Sequence, residues 1–140
     1  MGTKVNLASL RSHHAATLLL AGRSAEARQE AERALEIARA AGERFSEAFA
    51  LLILGRILLA SGLTDHGVAA TAGEQALALA AELGLRPLRA NCHFCLGQLC
   101  AQAGKRKEAR DQLATAATLF QEMGMAIPLK RVEAELESIG

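Results

Sequence analysis

Cys92, Cys95 and Cys100 stand as Cys-x2-Cys-x4-Cys with His93 between the first two, a spacing that could hold zinc or run thiol–disulfide exchange. His13-His14 could serve as metal ligands or as a proton switch near neutral pH. Lys105-Arg106-Lys107 is a basic cluster of the kind that meets phosphate. Each has a plainer reading. The three cysteines fall within one predicted helix, which is poor geometry for a tetrahedral site without ligands from elsewhere, and CxxC gains redox meaning mainly beside a βαβ unit. Adjacent side chains on a helix diverge by about 100°, so His13 and His14 cannot easily share one ion. The basic cluster lies in a turn without aromatic residues to stack on bases, which favours a solvated turn over a nucleic-acid site. No glycine-rich phosphate loop, paired carboxylates or nucleophile motif appears. Catalytic residues, a bound metal and a cofactor are therefore not expected.

Something must position these residues, and composition says it is helical. Helix formers dominate the 140 residues, Trp and Tyr are absent, and only two prolines interrupt. No run of alternating β-branched residues suggests a strand, so the class is all-α. Sixteen basic residues against fifteen acidic ones leave a net charge of +1, with no bulk field toward nucleic acid or an anionic membrane. The most apolar stretch, Ala48 to Ala60, is too short for a bilayer span and contains Arg56. Met1-Gly2-Thr3-Lys4 lacks a charged-then-apolar leader and looks like an expression start, which leaves open a fragment of a larger chain. An odd number of cysteines without a secretory signal points to a reducing, cytoplasmic setting.

The helices repeat. Gly22, Gly62 and Gly104 form one set; Gly42, Gly84 and Gly124 another; Gly55 and Gly97 a third, with Ala15 in the first copy. A period of about forty residues marks stacked helix pairs, each burying its apolar face against the next. Each copy has a helix A, a turn at the first-set glycine, a helix B, and a stop at the second-set glycine. In the B helices, Ala27, Ala31, Ala34, Leu35 and Ala38 share their offsets with Ala69, Gly73, Ala76, Leu77 and Ala80. The same offsets select Ala109, Leu113, Ala116, Ala117 and Phe120, one helical stripe in register. The second A–B turn is two residues longer, within Leu63 to Val68. Seven helices are expected near 5–21, 24–41, 44–60, 67–83, 86–102, 106–123 and 126–138. They form one domain, 1–140, with repeats 5–42, 43–84 and 85–124 and a cap at 125–140. The cap places Leu129, Val132, Leu136 and Ile139 on one face.

The register then weighs the chemistry. Cys92 aligns with Ala50 and Leu10, Cys95 with Ile53, and Cys100 with Leu58 and Leu18. Thiols thus stand where other copies place ordinary hydrophobes, so all three are expected to be reduced and metal-free, Cys100 buried between helices. His14 aligns with Leu54 and Leu96 and is expected to be a partly buried structural residue. His66 falls in the longer turn and is expected to face solvent.

The spacing Gly55-x6-Gly62, Gly97-x6-Gly104-x4-Ala109 and Ala15-x6-Gly22-x4-Ala27 resembles the tetratricopeptide repeat. The family's aromatic residues and its terminal proline are missing, and longer helices replace them. This long, alanine-rich variety is similar to the helical regions of bacterial multidomain signalling proteins, class III cyclases and large ATP-dependent transcription activators among them. That likeness is closest from Leu85-Arg86-Pro87-Leu88 through Lys105-Arg106-Lys107-Glu108-Ala109. The resemblance implies a right-handed solenoid of three helix pairs plus a cap, with the A helices lining a concave groove that grips a peptide or helix. Carried over, the groove comprises Ser9, Ser12 and Ala16, then Phe49, Leu52, Arg56 and Leu59, then Asn91, Phe94, Gln98 and Gln102. Helix A of copy two is apolar nearly all round; Leu52 reads equally as core or as surplus for a partner, whereas Phe49 reads as surplus. The function implied is a protein-interaction module rather than an enzyme, its partner a protein or peptide, with no nucleic acid and no membrane. Two alternatives stand beside it: a self-associating scaffold forming a homo-oligomer, and a regulatory sensor fragment of a larger signalling enzyme.

Overall fold

The computed structural model describes residues 6–61 and 66–139. Of the longer second turn expected within Leu63 to Val68, residues 63–65 lie outside the described residues, as does the side chain of His66, whereas 66–68 are already helical. Among the described residues there are seven helices and no strand: α1 (Leu7–Leu20), α2 (Ser24–Ala41), α3 (Arg44–Ala60), α4 (His66–Glu82), α5 (Arg86–Gln102), α6 (Arg106–Glu122) and α7 (Ala126–Ile139). The protein is all-α, and the helix ends fall within two residues of those expected from the glycine register. No described helix is long and apolar enough to cross a membrane.

The glycines end the helices through one repeated device. Gly22, Gly42, Gly84, Gly104 and Gly124 all adopt positive φ, from 68° to 79°. That left-handed turn lets the next residue's N–H reach back to a carbonyl in the preceding last turn. The bonds are Arg23 to Leu18, Glu43 to Ala38, Leu85 to Ala80, Lys105 to Cys100 and Met125 to Phe120, each 2.9 Å. A residue with a Cβ is strained there, which explains why these positions recur as glycine.

Packing follows the alanine stripes. Ala27, Ala31, Ala34 and Ala38 of α2 are fully buried, as are Ala76 and Ala80 of α4 and Ala109, Leu113, Ala116 and Phe120 of α6. Each helix packs on its sequence neighbours, and α1, α3, α5 and α7 also contact one another in series. Among the described residues no even-numbered helix comes close to another along its backbone. The odd-numbered helices therefore form a continuous layer, with the even-numbered ones set separately behind it. The central α3 meets α1, α2, α4 and α5. That environment accounts for its apolar breadth: Leu51, Leu52, Ile53, Leu54, Ile57 and Leu58 are all buried.

Two cores result. The larger joins α1 to α5; the smaller gathers Ala90, Leu113, Ala116, Leu119, Phe120 and Val132 beneath α7. Exposed ends carry a repeated ion pair, Arg44 with Glu82 and Arg86 with Glu122, at register-equivalent positions. A small polar network ties α1 to α3, with Asn6 Nδ2 donating to the buried Ser46 Oγ at 2.8 Å and Ser46 Oγ donating to Glu43 at 3.3 Å.

Candidate functional site

The free face of the odd-helix layer collects part of the expected groove. Arg56 of α3 donates to Asn91 Oδ1 of α5 at 2.9 Å, and Asn91 is itself fixed by donating Nδ2 to the Pro87 carbonyl at 2.9 Å. One and two turns on, Phe94 and Gln98 continue the wall, and Gln98 donates to Glu135 of α7 at 3.2 Å. These residues and Arg131 surround a cavity of about 560 Å³. Exposed Gln102 lies beyond it, donating to the Leu59 carbonyl at 3.2 Å. Burial lowers the Arg56 pKa from its ordinary value, opposed by the Cys95 and Cys92 thiols beneath it. No carboxylate among the described residues forms an ion pair with Arg56, although Arg11, Arg39, Arg44 and Arg86 each have one.

At the other end of the layer Phe49 is half-buried, its ring 4.9 Å from the His13 ring and 6.5 Å from that of Phe45. Phe49 is thus separated from the Arg56–Asn91–Phe94–Gln98 group rather than packed with it. Ala16 and Ser9 lie half-buried on the same side of α1.

Two expected groove residues present no surface there. Ser12 is 0% and Leu52 2% exposed. Both occupy the register position of Phe94, on the edge of the helix that the next odd-numbered helix covers. Phe94 stays partly open because α5 meets α7 far less closely than α3 meets α5. For Leu52 the core reading holds.

His13, Arg131 and Glu135 were missed. Arg131, Ala134 and Ser138 line the cavity at the register positions of Asn91, Phe94 and Gln98, so extending the repeat by forty residues into the cap helix would have found them. Treating α7 only as a cap hid this. The His13 contact had no signal in the repeat, because its equivalents Ile53 and Cys95 are buried.

The other chemistry-bearing residues separate. His14 is exposed, with Nδ1 3.0 Å from Glu30, rather than partly buried, because among the described residues no helix covers its side of α1 as one covers Leu54 and Leu96. Lys105, Arg106 and Lys107 are exposed at the start of α6. Among the described residues no three His, Cys, Asp or Glu side chains are grouped to hold a metal ion. All three cysteines are free; Cys92 and Cys95 are buried, whereas Cys100 is not and borders a small cavity of about 220 Å³ with Glu74 and Lys105.

Burial pushes the Cys92 thiol from 9.0 up to about 12 and Cys95 up to about 11, so neither is a nucleophile at neutral pH. Alkylation of the folded protein near pH 8, followed by peptide mass mapping, is expected to modify Cys100 well before Cys92 or Cys95. Because the folded protein holds these two protons above pH 9 while the unfolded chain releases them, stability should be intact below pH 9 and fall as pH rises toward 11 and 12. Urea midpoints measured across that range should fall less steeply for the C92A/C95A double variant.

The chain matches no known family model, and no curated protein matches its sequence.

Proposed function

We propose that the chain is a right-handed solenoid of three tetratricopeptide-like helix pairs with a capping helix, and that it binds a peptide or helix of another protein along its odd-helix layer. The carrying observation is the ordered row Arg56, Asn91, Phe94 and Gln98 around a cavity open to solvent. A partly buried cation, amides with hydrogen-bonding capacity and a half-exposed aromatic ring form the mixed surface typical of recognition sites. A partner with an acidic side chain opposite Arg56 would relieve the cost of desolvating that cation without a counter-charge. Phe49, with His13 and Phe45, supplies a second anchor toward the other end of the layer. The reading is of a binding module without catalytic residues or a cofactor.

Panning the purified protein against a displayed library of random peptides tests it. Selected peptides should bind the wild type, and the Phe49→Ala/Phe94→Ala double variant should bind them at least about tenfold more weakly. Both rings are partly exposed, so the double variant should keep its helical circular dichroism. Undiminished binding by a folded double variant would refute the groove.

A further inference from the structure

Among the described residues, α1 lacks a covering that its counterparts have. In the repeat register, Leu10, His14 and Thr17 correspond to Ala50, Leu54 and Ile57 of α3 and to Cys92, Leu96 and Leu99 of α5. All six counterparts are buried, none more than 9% exposed, where the preceding even-numbered helix packs: α2 on α3, and α4 on α5. The fit is close. A Cβ added to Gly73 of α4 would meet Leu96 Cδ2 at 2.9 Å. On α1, by contrast, Leu7 and Leu10 are 46% and 57% exposed, and His14 and Thr17 are exposed beside them. They border a shallow trough of about 610 Å³. Counting Leu20, α1 carries three of the seven large hydrophobic side chains exposed among the described residues. Scattered exposed leucines need no explanation, but Leu10, His14 and Thr17 lie exposed at helical spacing on a face buried in both equivalent helices.

We propose that this face of α1 docks an α-helix of a partner protein whose inward stripe carries alanine or glycine at i, i+4, i+7 and i+11. The occupant is specified by the interfaces this face continues: α2 and α4 present that stripe, Ala27-Ala31-Ala34-Ala38 and Ala69-Gly73-Ala76-Ala80, between successive odd-numbered helices. Leu10 stands where α3 has alanine, so the incoming helix needs small residues to approach as closely. Leu7 stands where Glu47 pairs with Arg39 of α2 at 3.2 Å. The partner helix is therefore uncharged where α2 carries Arg39. This surface lies apart from the row around Arg56, although His13 borders both the trough and the Phe49 ring.

The probe is a fluorescent synthetic peptide with the sequence of residues 24–41, alone and with Arg39→Leu. Anisotropy titration should show saturable binding, tighter for the Arg39→Leu peptide. Leu10→Glu or Leu7→Glu in the protein should weaken it at least about tenfold, because a carboxylate would be desolvated against the stripe. Both residues are exposed, so both variants should fold, checked by circular dichroism. A peptide carrying Ala31→Leu and Ala34→Leu should not bind. Phe94 lies on the Arg56 cavity and not on the trough, so Phe94→Ala should leave this binding unchanged, which separates it from the groove. Absence of saturation up to about millimolar peptide, or binding indifferent to both glutamate variants, overturns the proposal. So does concentration-dependent dimerisation in sedimentation that Leu10→Glu abolishes, which would assign the face to a second copy.

Discussion

Phe120→Ala should cost about 3–5 kcal/mol of stability, the range for removing a fully buried phenylalanine. Its ring is 0% exposed in the smaller core, with Leu113, Leu119 and Val132. The repeat explains why the ring is there. Phe120 occupies the position of Ala38 and Ala80, which are followed by the long helices α3 and α5. After α6 comes the shorter α7, of 14 residues. A large side chain fills volume there that alanine leaves to neighbouring helices elsewhere. With that volume empty, Leu129, Leu136 and Ile139 of α7 lose much of what they rest on. Native stabilities are typically about 5–15 kcal/mol, so the loss is a large fraction of the whole. Urea unfolding should show a much lower midpoint, and hydrogen exchange should quicken first in α6 and α7. A midpoint shift worth under about 1 kcal/mol would mean that α7 is not held by this ring.

Gly97→Ala and Gly55→Ala should change stability in opposite directions, although the two glycines are equivalent in the repeat. A Cβ at Gly97 would meet Leu113 Cδ2 and Cγ at 2.7 Å and the Leu113 backbone N at 3.3 Å. Leu113 is fully buried and cannot swing clear, so α5 and α6 must separate. Overpacking of this kind costs about 1–3 kcal/mol. At Gly55 the nearest atoms to an added Cβ are Cys95 Sγ at 3.5 Å, Ala69 O at 3.7 Å and Gly73 N at 3.8 Å. Those are ordinary contacts. Removing a mid-helix glycine then gains up to about 1 kcal/mol of helix propensity. Copy one already has alanine, Ala15, at this position, fully buried. Thermal unfolding should therefore place Gly55→Ala above the wild type and Gly97→Ala below it. The same sign for both would overturn the packing account.

Those glycines also show how far a sequence carries. Helix positions were legible because each left-handed glycine closure leaves a mark every few turns, and the stripes of α2, α4 and α6 identify their buried faces. The spacing of Gly55 and Gly97 is the same, and the difference lies in the residue opposite, Leu113 in copy three against its register equivalent Gly73 in copy two. Nor does register alone determine burial: among the described residues His14 is exposed where Leu54 is covered, and Phe94, beside the shorter α7, is partly open where Leu52 is not. Cys100 departs from Leu18 and Leu58 in the same way, opening onto a cavity beside Glu74 and Lys105. In the candidate site, the row on α5 was legible as one helical face. The contribution of Arg131 was legible only by carrying the register into α7, and that of Glu135 was not, because its register equivalent Cys95 is buried.

The separation of the even-numbered helices gives the molecule a mechanical character. Bending acts about the odd-helix layer, where neighbours pack closely, while on the opposite side, among the described residues, no close backbone approach between even-numbered helices resists a change of angle. Such a body is stiff against stretching along the layer and compliant in pitch, like a leaf spring clamped on one side. An object seated across Arg56, Asn91 and Arg131 would load that spring by tying α3, α5 and α7 together, so occupancy would be felt as a change of curvature along the chain's length.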